Sequence, residues 1–317
     1  MTLDATTATH ARPQSLRRPP ALRQGDRVAV LSVSSPADQA KLPIGLDALR
    51  FAGLDPVVYP SAHDAGTMRQ YLAGTDQLRA DDLRAALLDP DIAGLIFSNG
   101  GYGAQRTLEV VDWSGLDQVA PKVLAGYSDV TGVLEAVAVK LGWASLFSPM
   151  VAGEDLYSFS SLMRCLMHPE RVEKFEYREA KTVVGGTATG VTMGGNLSLL
   201  VSSIATDTGW PARGGIVLVE DESEHDYKID RMLTQLRRSG YFDGVAGIVT
   251  GSFYNCGEPA VIEPVLVERL ADLGVPMIAW ANVGHGGYFQ TFPIGVAAEL
   301  DAESATLRLL DPPLVPA

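Results

Sequence analysis

Residues 122–142, KVLAGYSDVTGVLEAVAVKLG, set a polar step, Tyr127-Ser128-Asp129, between two apolar segments. KVLAG reads as a short buried strand ended by Gly126. Beyond the step, Val133, Leu134, Val137 and Leu141 recur at helical spacing, so a helix follows at once. A serine in so sharp a strand-to-helix turn is either an ordinary turn or cap residue, or a nucleophile held out of the sheet in an elbow. The full GxSxG pattern is absent, because Val130 stands where the second glycine would be.

The same alternation runs outward on both sides. DRVAVLSV, DPVVYP, IAGLIFSNGG and KVLAG read as strands, and LPIGLDALRFAG, DQLRADDLRAALLD, AQRTLEVVD and VTGVLEAVAVKLG as the helices between and after them. Such alternation predicts an α/β unit over residues 25–153, with a parallel sheet covered on both faces. Ligands of that architecture collect at the carboxyl ends of the strands, where SNGGYG and GYSD lie. Residues 154–187 read as a linker. Residues 188–317 read as a second, mixed α/β, barrel-like domain: GGIVLVE gives a strand, and DYKIDRMLTQLRRSG a helix with Ile229, Met232, Leu233 and Leu236 at core spacing and Gly240 as its stop. The terminal ATLRLLDPP alternates like an edge strand.

Bulk properties narrow the function classes. A net charge of −13 over 317 residues argues against nucleic acid or an anionic membrane as partner. Two distant cysteines, Cys165 and Cys256, do not suggest a disulfide framework and fit a reducing cytoplasm. The first 24 residues are rich in Thr, Pro and Arg, lack the apolar core of a secretory signal, and read as a disordered tail. No apolar run reaches membrane-spanning length. The expected location is therefore cytoplasmic.

A serine hydroxyl needs a base that is itself oriented by a third group. Of five histidines, His10 falls in the tail, His63 and His168 in polar loops, and His225 in an acidic loop. His285, in NVGHGGYF, follows an apolar strand and is flanked by glycines, which makes it the best base; a structural loop histidine is the alternative. Glu220 ends the strand GIVLVE and could hold an imidazole, or could be one more solvated acid. Its neighbours Asp221, Glu222, Glu224, His225 and Asp226 raise a metal site as a weaker alternative, without recognisable ligand spacing. SNGGYGAQR could be a tight turn, a dinucleotide loop, or an oxyanion site. Arg106 stands where the third glycine of the dinucleotide fingerprint belongs.

Taken in order, LRQGDRVAVLSVSSPAD, YLAGTDQLRADDLRAALLDPDIAGLIFSNGGYGAQRTL, PKVLAGYSDVTGVLEAV, GGNLSLL, VLVEDESEHDYKIDRMLTQLRRSGYFDGVAGIVTGSF and GHGGYFQTFPIG resemble the LD-carboxypeptidase family of muramoyltetrapeptide carboxypeptidases and microcin C immunity peptidases. The resemblance implies a serine peptidase without metal or organic cofactor, with Ser128 as nucleophile, His285 as general base and Glu220 orienting it. It implies an oxyanion site from the N–H groups of Asp129 and Gly101. It further implies a homodimer that releases a C-terminal D-amino acid, usually D-alanine, from murein tetrapeptides. The sibling activity, on aminoacyl-nucleotides or other acyl amides, is the alternative. Four positions depart from the family pattern: Val33 for a proline, Asn99 for an arginine, Phe147 for a histidine and Gln290 for an asparagine. Arg106 is a weak candidate for gripping the substrate carboxylate.

Overall fold

The computed structural model describes residues 13–153 and 156–316. Its strands, in chain order, are β1 (Arg27–Leu31), β2 (Asp55–Val58), β3 (Ile92–Phe97), β4 (Val123–Gly126), β5 (Ser145–Phe147), β6 (Lys174–Glu176), β7 (Lys181–Val184), β8 (Thr187–Asn196), β9 (Gly215–Glu222), β10 (Gly247–Tyr254), β11 (Met277–Ala279), β12 (Phe292–Ile294), β13 (Ala297–Asp301) and β14 (Thr306–Leu309). The helices are α1 (Leu42–Phe51), α2 (Pro60–His63), α3 (Asp76–Leu88), α4 (Ala104–Val110), α5 (Thr131–Leu141), α6 (Leu156–Met167), α7 (Leu197–Ser202), α8 (Asp226–Arg238) and α9 (Pro259–Leu270).

The first sheet has the order β12-β5-β4-β3-β1-β2, parallel throughout except where β12 runs antiparallel to β5. Val28 to Leu31 and Val123 to Ala125 are fully buried, as expected for parallel strands covered on both faces. The second sheet, β6-β14-β13-β8-β9-β10-β11-β7, is mixed. Strands β8 to β11 are parallel, and antiparallel pairs flank them. The expected α/β architecture, a parallel sheet followed by a mixed second unit, is the one observed.

Three boundaries differ from the sequence reading. The presumed linker supplies both edges of the second sheet, β6 on β14 and β7 on β11. These strands, KFE and KTVV, are short and carry lysine and glutamate, which suits an edge and leaves little apolar signal. Residues 154–155 lie outside the described residues. Strand β14 is not an edge strand, since β6 covers its outer side. The presumed tail is part of the fold from residue 13 onward. Leu16 N–H donates to Gly295 O, Arg17 bridges Trp143, Pro20 bridges Val315, and Ala21 and Leu22 are buried. Residues 1–12, His10 among them, lie outside the described residues.

Strand β9 shows how the two sheets meet. Its alternate residues Ile216 and Leu218 join the core cluster shared with the first sheet, while Val217 and Val219 join the cluster under α8 and α9. Because side chains alternate along a strand, Glu220 and Glu222 continue the face turned toward the first sheet, and Asp221 the other.

Candidate active site

The turn that carries the candidate serine is strained. Ser128 opens a 3₁₀ turn, Ser128–Val130, between β4 and α5, with φ 60°. That left-handed conformation is unfavourable for a residue with a Cβ and holds the side chain out of the sheet. Val130, fully buried, packs over Gly126, so the missing second glycine is replaced by apolar packing. Gly100 lies against the serine: a Cβ there would come 2.9 Å from Ser128 Cβ. The carbonyl of Gly100 accepts from Ser35 N–H at 3.0 Å, and the trans peptide then turns the Gly101 N–H away from Ser35. Asp129 ties the turn down from below. Its Oδ2 accepts from Ser34 Oγ at 2.6 Å and from Ala104 N–H, at the start of α4, at 2.7 Å. Burial raises the Asp129 carboxyl above the ordinary carboxylate range, and these two hydrogen bonds oppose the shift.

Glu220 and His285 meet as the sequence reading required. Nδ1 of His285 lies 2.7 Å from Glu220 Oε2, which also accepts the His285 backbone N–H at 3.1 Å. Gly284 permits the approach, since a Cβ there would sit 2.4 Å from Glu220 Oε2. Glu220 Oε1 accepts from Asn196 Nδ2 at 3.2 Å. The imidazole packs on the ring of Tyr127, centroids 4.8 Å apart, so the residue before the serine touches the histidine directly. Phe147 and Phe289 complete this aromatic group. No hydrogen bond joins Ser128 to His285. Instead Nε2 lies 3.2 Å from Glu222 Oε2. Burial alone would lower the His285 pKa, but the charge and hydrogen bond of Glu220, followed by Glu222 and Asp221, more than offset it and leave it raised.

The other candidates are engaged elsewhere. Arg106 is bound to Asp76, with Nη2 to Oδ2 at 2.5 Å and Nε to Oδ1 at 3.0 Å, and does not stand free to grip a carboxylate. The acidic loop does not converge. Asp221 accepts from Asn196, from Ser198 and from Glu222 N–H, Glu224 pairs with Lys228, and His225 stacks on Tyr227. Among the described residues no three His, Cys, Asp or Glu side chains gather as a metal site. Asn99 donates to Pro36 O, and Gln290 donates to Glu176 O at 3.4 Å. Asn196, the Asp129 carboxylate and Glu222 escaped the sequence reading of this site. Glu222 was legible in principle, because it lies two residues beyond Glu220 on one strand face. A cavity of about 920 Å³ adjoins the site, walled by His285, Tyr288, Trp280, Arg164 and Lys174 among others; Ser128 does not line it.

Residues 28–148 match the LD-carboxypeptidase N-terminal domain, and residues 189–300 match the LD-carboxypeptidase C-terminal domain. The chain belongs to the LD-carboxypeptidase family. Among relatives of this chain, one in Streptomyces coelicolor, whose name assigns it provisionally to the carboxypeptidases, is 43% identical over 95% of this chain and 98% of its own length. The murein tetrapeptide carboxypeptidase of Pseudomonas aeruginosa is 31% identical over 87% of this chain and 93% of its own. In fold, the chain is similar to the muramoyltetrapeptide carboxypeptidase of Oxalobacter formigenes (TM-score 0.77, 23% identity, 92% of this chain and 100% of that one). It is also similar to the microcin C7 self-immunity protein in complex with glutamyl sulfamoyl guanosine (TM-score 0.82, 20% identity, 94% and 99%).

Proposed function

We propose that the protein is a serine carboxypeptidase that cuts the bond between an L-centre and a C-terminal D-amino acid, releasing D-alanine from murein tetrapeptides during cell-wall recycling. The observation that carries this reading is the Glu220–His285 pair, 2.7 Å apart, packed through Tyr127 beside a serine held at φ 60°. The 31% identity to a murein tetrapeptide carboxypeptidase, against 24% to the microcin C7 self-immunity protein of Escherichia coli, favours the murein peptide over the aminoacyl-nucleotide.

In this mechanism Ser128 Oγ bonds to the carbonyl carbon as His285 Nε2 takes its proton, while Nδ1–H stays on Glu220, whose charge stabilises the imidazolium. The N–H groups of Asp129 and Gly101 receive the oxyanion; losing one such donor typically raises the barrier by about 3–4 kcal/mol. The imidazolium then protonates the leaving amine, and water repeats the sequence on the acyl-serine. We place this reaction in the cytoplasm, in a homodimer.

The test is D-alanine release from purified murein tetrapeptide. Ser128→Ala is expected to keep the parent's circular dichroism and melting temperature while losing turnover. His285→Ala is expected to lose about 10²–10⁴-fold, the usual worth of general base catalysis. Near-full turnover by either variant would overturn the assignment. Hydrolysis of an aminoacyl sulfamoyl nucleotide in preference to the tetrapeptide would replace the substrate and keep the chemistry.

A further inference from the structure

We propose that Glu222 is a latch on the general base: in the free protein it holds His285 Nε2, and substrate must displace it before the imidazole can serve Ser128. The proposal rests on the serine peptidase reading above. Glu220 and Glu222 lie on one face of β9, two residues and so about 7 Å apart along the strand. That spacing lets the two carboxylates bracket a single imidazole. Nδ1 meets Glu220 at 2.7 Å, and Nε2 meets Glu222 at 3.2 Å. The atom that must receive the serine proton is therefore already occupied, and Ser128 makes no hydrogen bond to it.

The two carboxylates differ in freedom. The Glu220 side chain is fully buried and also held by Asn196, whereas that of Glu222 is 40% exposed. Glu222 can therefore swing into water at little cost, which Glu220 cannot. His285 is also the ion-pair partner of Glu222, and no lysine or arginine among the described residues takes that place. Neighbouring charge supports the same state. On β9 Glu220 and Glu222 face the imidazole, and Asp221, on the opposite face, adds only its charge; Tyr127 covers one ring face, and Tyr254 of β10 stands against Gly286. Across the adjoining cavity are Arg164, Lys174, Glu176, Arg178 and Glu179, of which Lys174 and Arg178 pair with Glu176. Acids dominate at the ring itself, and the His285 pKa is raised.

A doubly bracketed imidazole rests as imidazolium, with Nδ1–H donated to Glu220 and Nε2–H to Glu222. In that form it cannot accept a proton. Opening the latch sends the Nε2 proton by way of the Glu222 carboxylate to bulk water, leaving a lone pair on Nε2 and the Nδ1–H in place. Nε2 then takes the Ser128 proton as Oγ bonds to carbon.

The experiment is the pH profile of kcat/KM for D-alanine release, measured on the full chain and on Glu222→Gln. The amide keeps the size of the side chain and removes its charge. The acid limb is expected to move to lower pH, with relative activity at pH 6 rising about tenfold for each unit of movement. In a Ser128→Ala background, which needs no turnover, the NMR titration of the His285 ring is expected to shift down by the same amount when Glu222→Gln is added. An acid limb and a ring titration that stay in place or move up would overturn the latch. So would loss of turnover in Glu222→Gln to the level of His285→Ala. Retained turnover in Ser128→Ala would instead overturn the serine mechanism, and the ring titration would still report on the Glu222 contact.

Discussion

At Ser128 the backbone holds a φ of 60°, which for a residue with a Cβ is about 1–2 kcal/mol less favourable than the ordinary helical region. Glycine escapes that penalty. Ser128→Gly is therefore expected to unfold at higher urea concentration than Ser128→Ala, by about 1 kcal/mol, while both lack activity. Equal midpoints would show that the turn relaxes once the hydroxyl is gone and that no strain is stored there. The sequence disclosed the turn, through apolar segments on either side of Tyr127-Ser128-Asp129, and it disclosed His285 through its glycines. It could not disclose that Nε2 meets Glu222 first, because which rotamer a half-exposed glutamate takes depends on charges brought in from a different loop. Arg79 was hidden for a similar reason. A charged residue on α3, it is fully buried, with its guanidinium spent on Ala73 O, Gly74 O, Thr107 and Asp76.

Among the elements, α5 does more than follow the Ser128 turn. Its Glu135 is buried against the second unit, near Ser203 and the Trp210 backbone, and Oε2 has no partner. Burial pushes its pKa up to about 8. In the unfolded chain the group ionises near the ordinary value of about 4.3. Between those values the unfolded state binds fewer protons, so stability falls as pH rises, and the fall ends above about 8. Glu135→Gln removes this dependence. Its melting temperature relative to the parent is expected to climb from pH 5 to pH 8 and level off beyond, and parallel curves would mean that Glu135 is hydrated in solution. Periodicity located α5 accurately, since Val133, Leu134, Val137 and Leu141 are all buried. It could not locate β6 and β7, because three- and four-residue edge strands bearing charges leave no period to read. Their partners, β14 and β11, lie over a hundred and about ninety residues away along the chain.

For the molecule as a whole, the boundary near residue 153 divides the sequence pattern more cleanly than it divides the structure. The first sheet is completed by β12 from the far end of the chain, with Phe292, Pro293 and Ile294 paired to Phe147, Leu146 and Ser145. Its core cluster also takes in Ile216, Leu218, Val249 and Phe289. A chain ending at residue 153 would leave β5 as an open edge and expose the apolar face that β9 and β10 cover, and both changes favour association over folding. The second unit depends on the first in the same way. Glu220 and Glu222 face the first sheet, and the segment holding His285 is anchored by Phe289, which packs on Tyr127 and Phe147. Residues 1–153 expressed alone are therefore expected to show no cooperative thermal transition and to bind a hydrophobic dye. Coexpression with residues 154–317 should restore both a single transition and D-alanine release. A sharp, reversible melt of the isolated 1–153 fragment would show instead that β12 and the shared core are dispensable, and that the site is assembled from two independently folded parts.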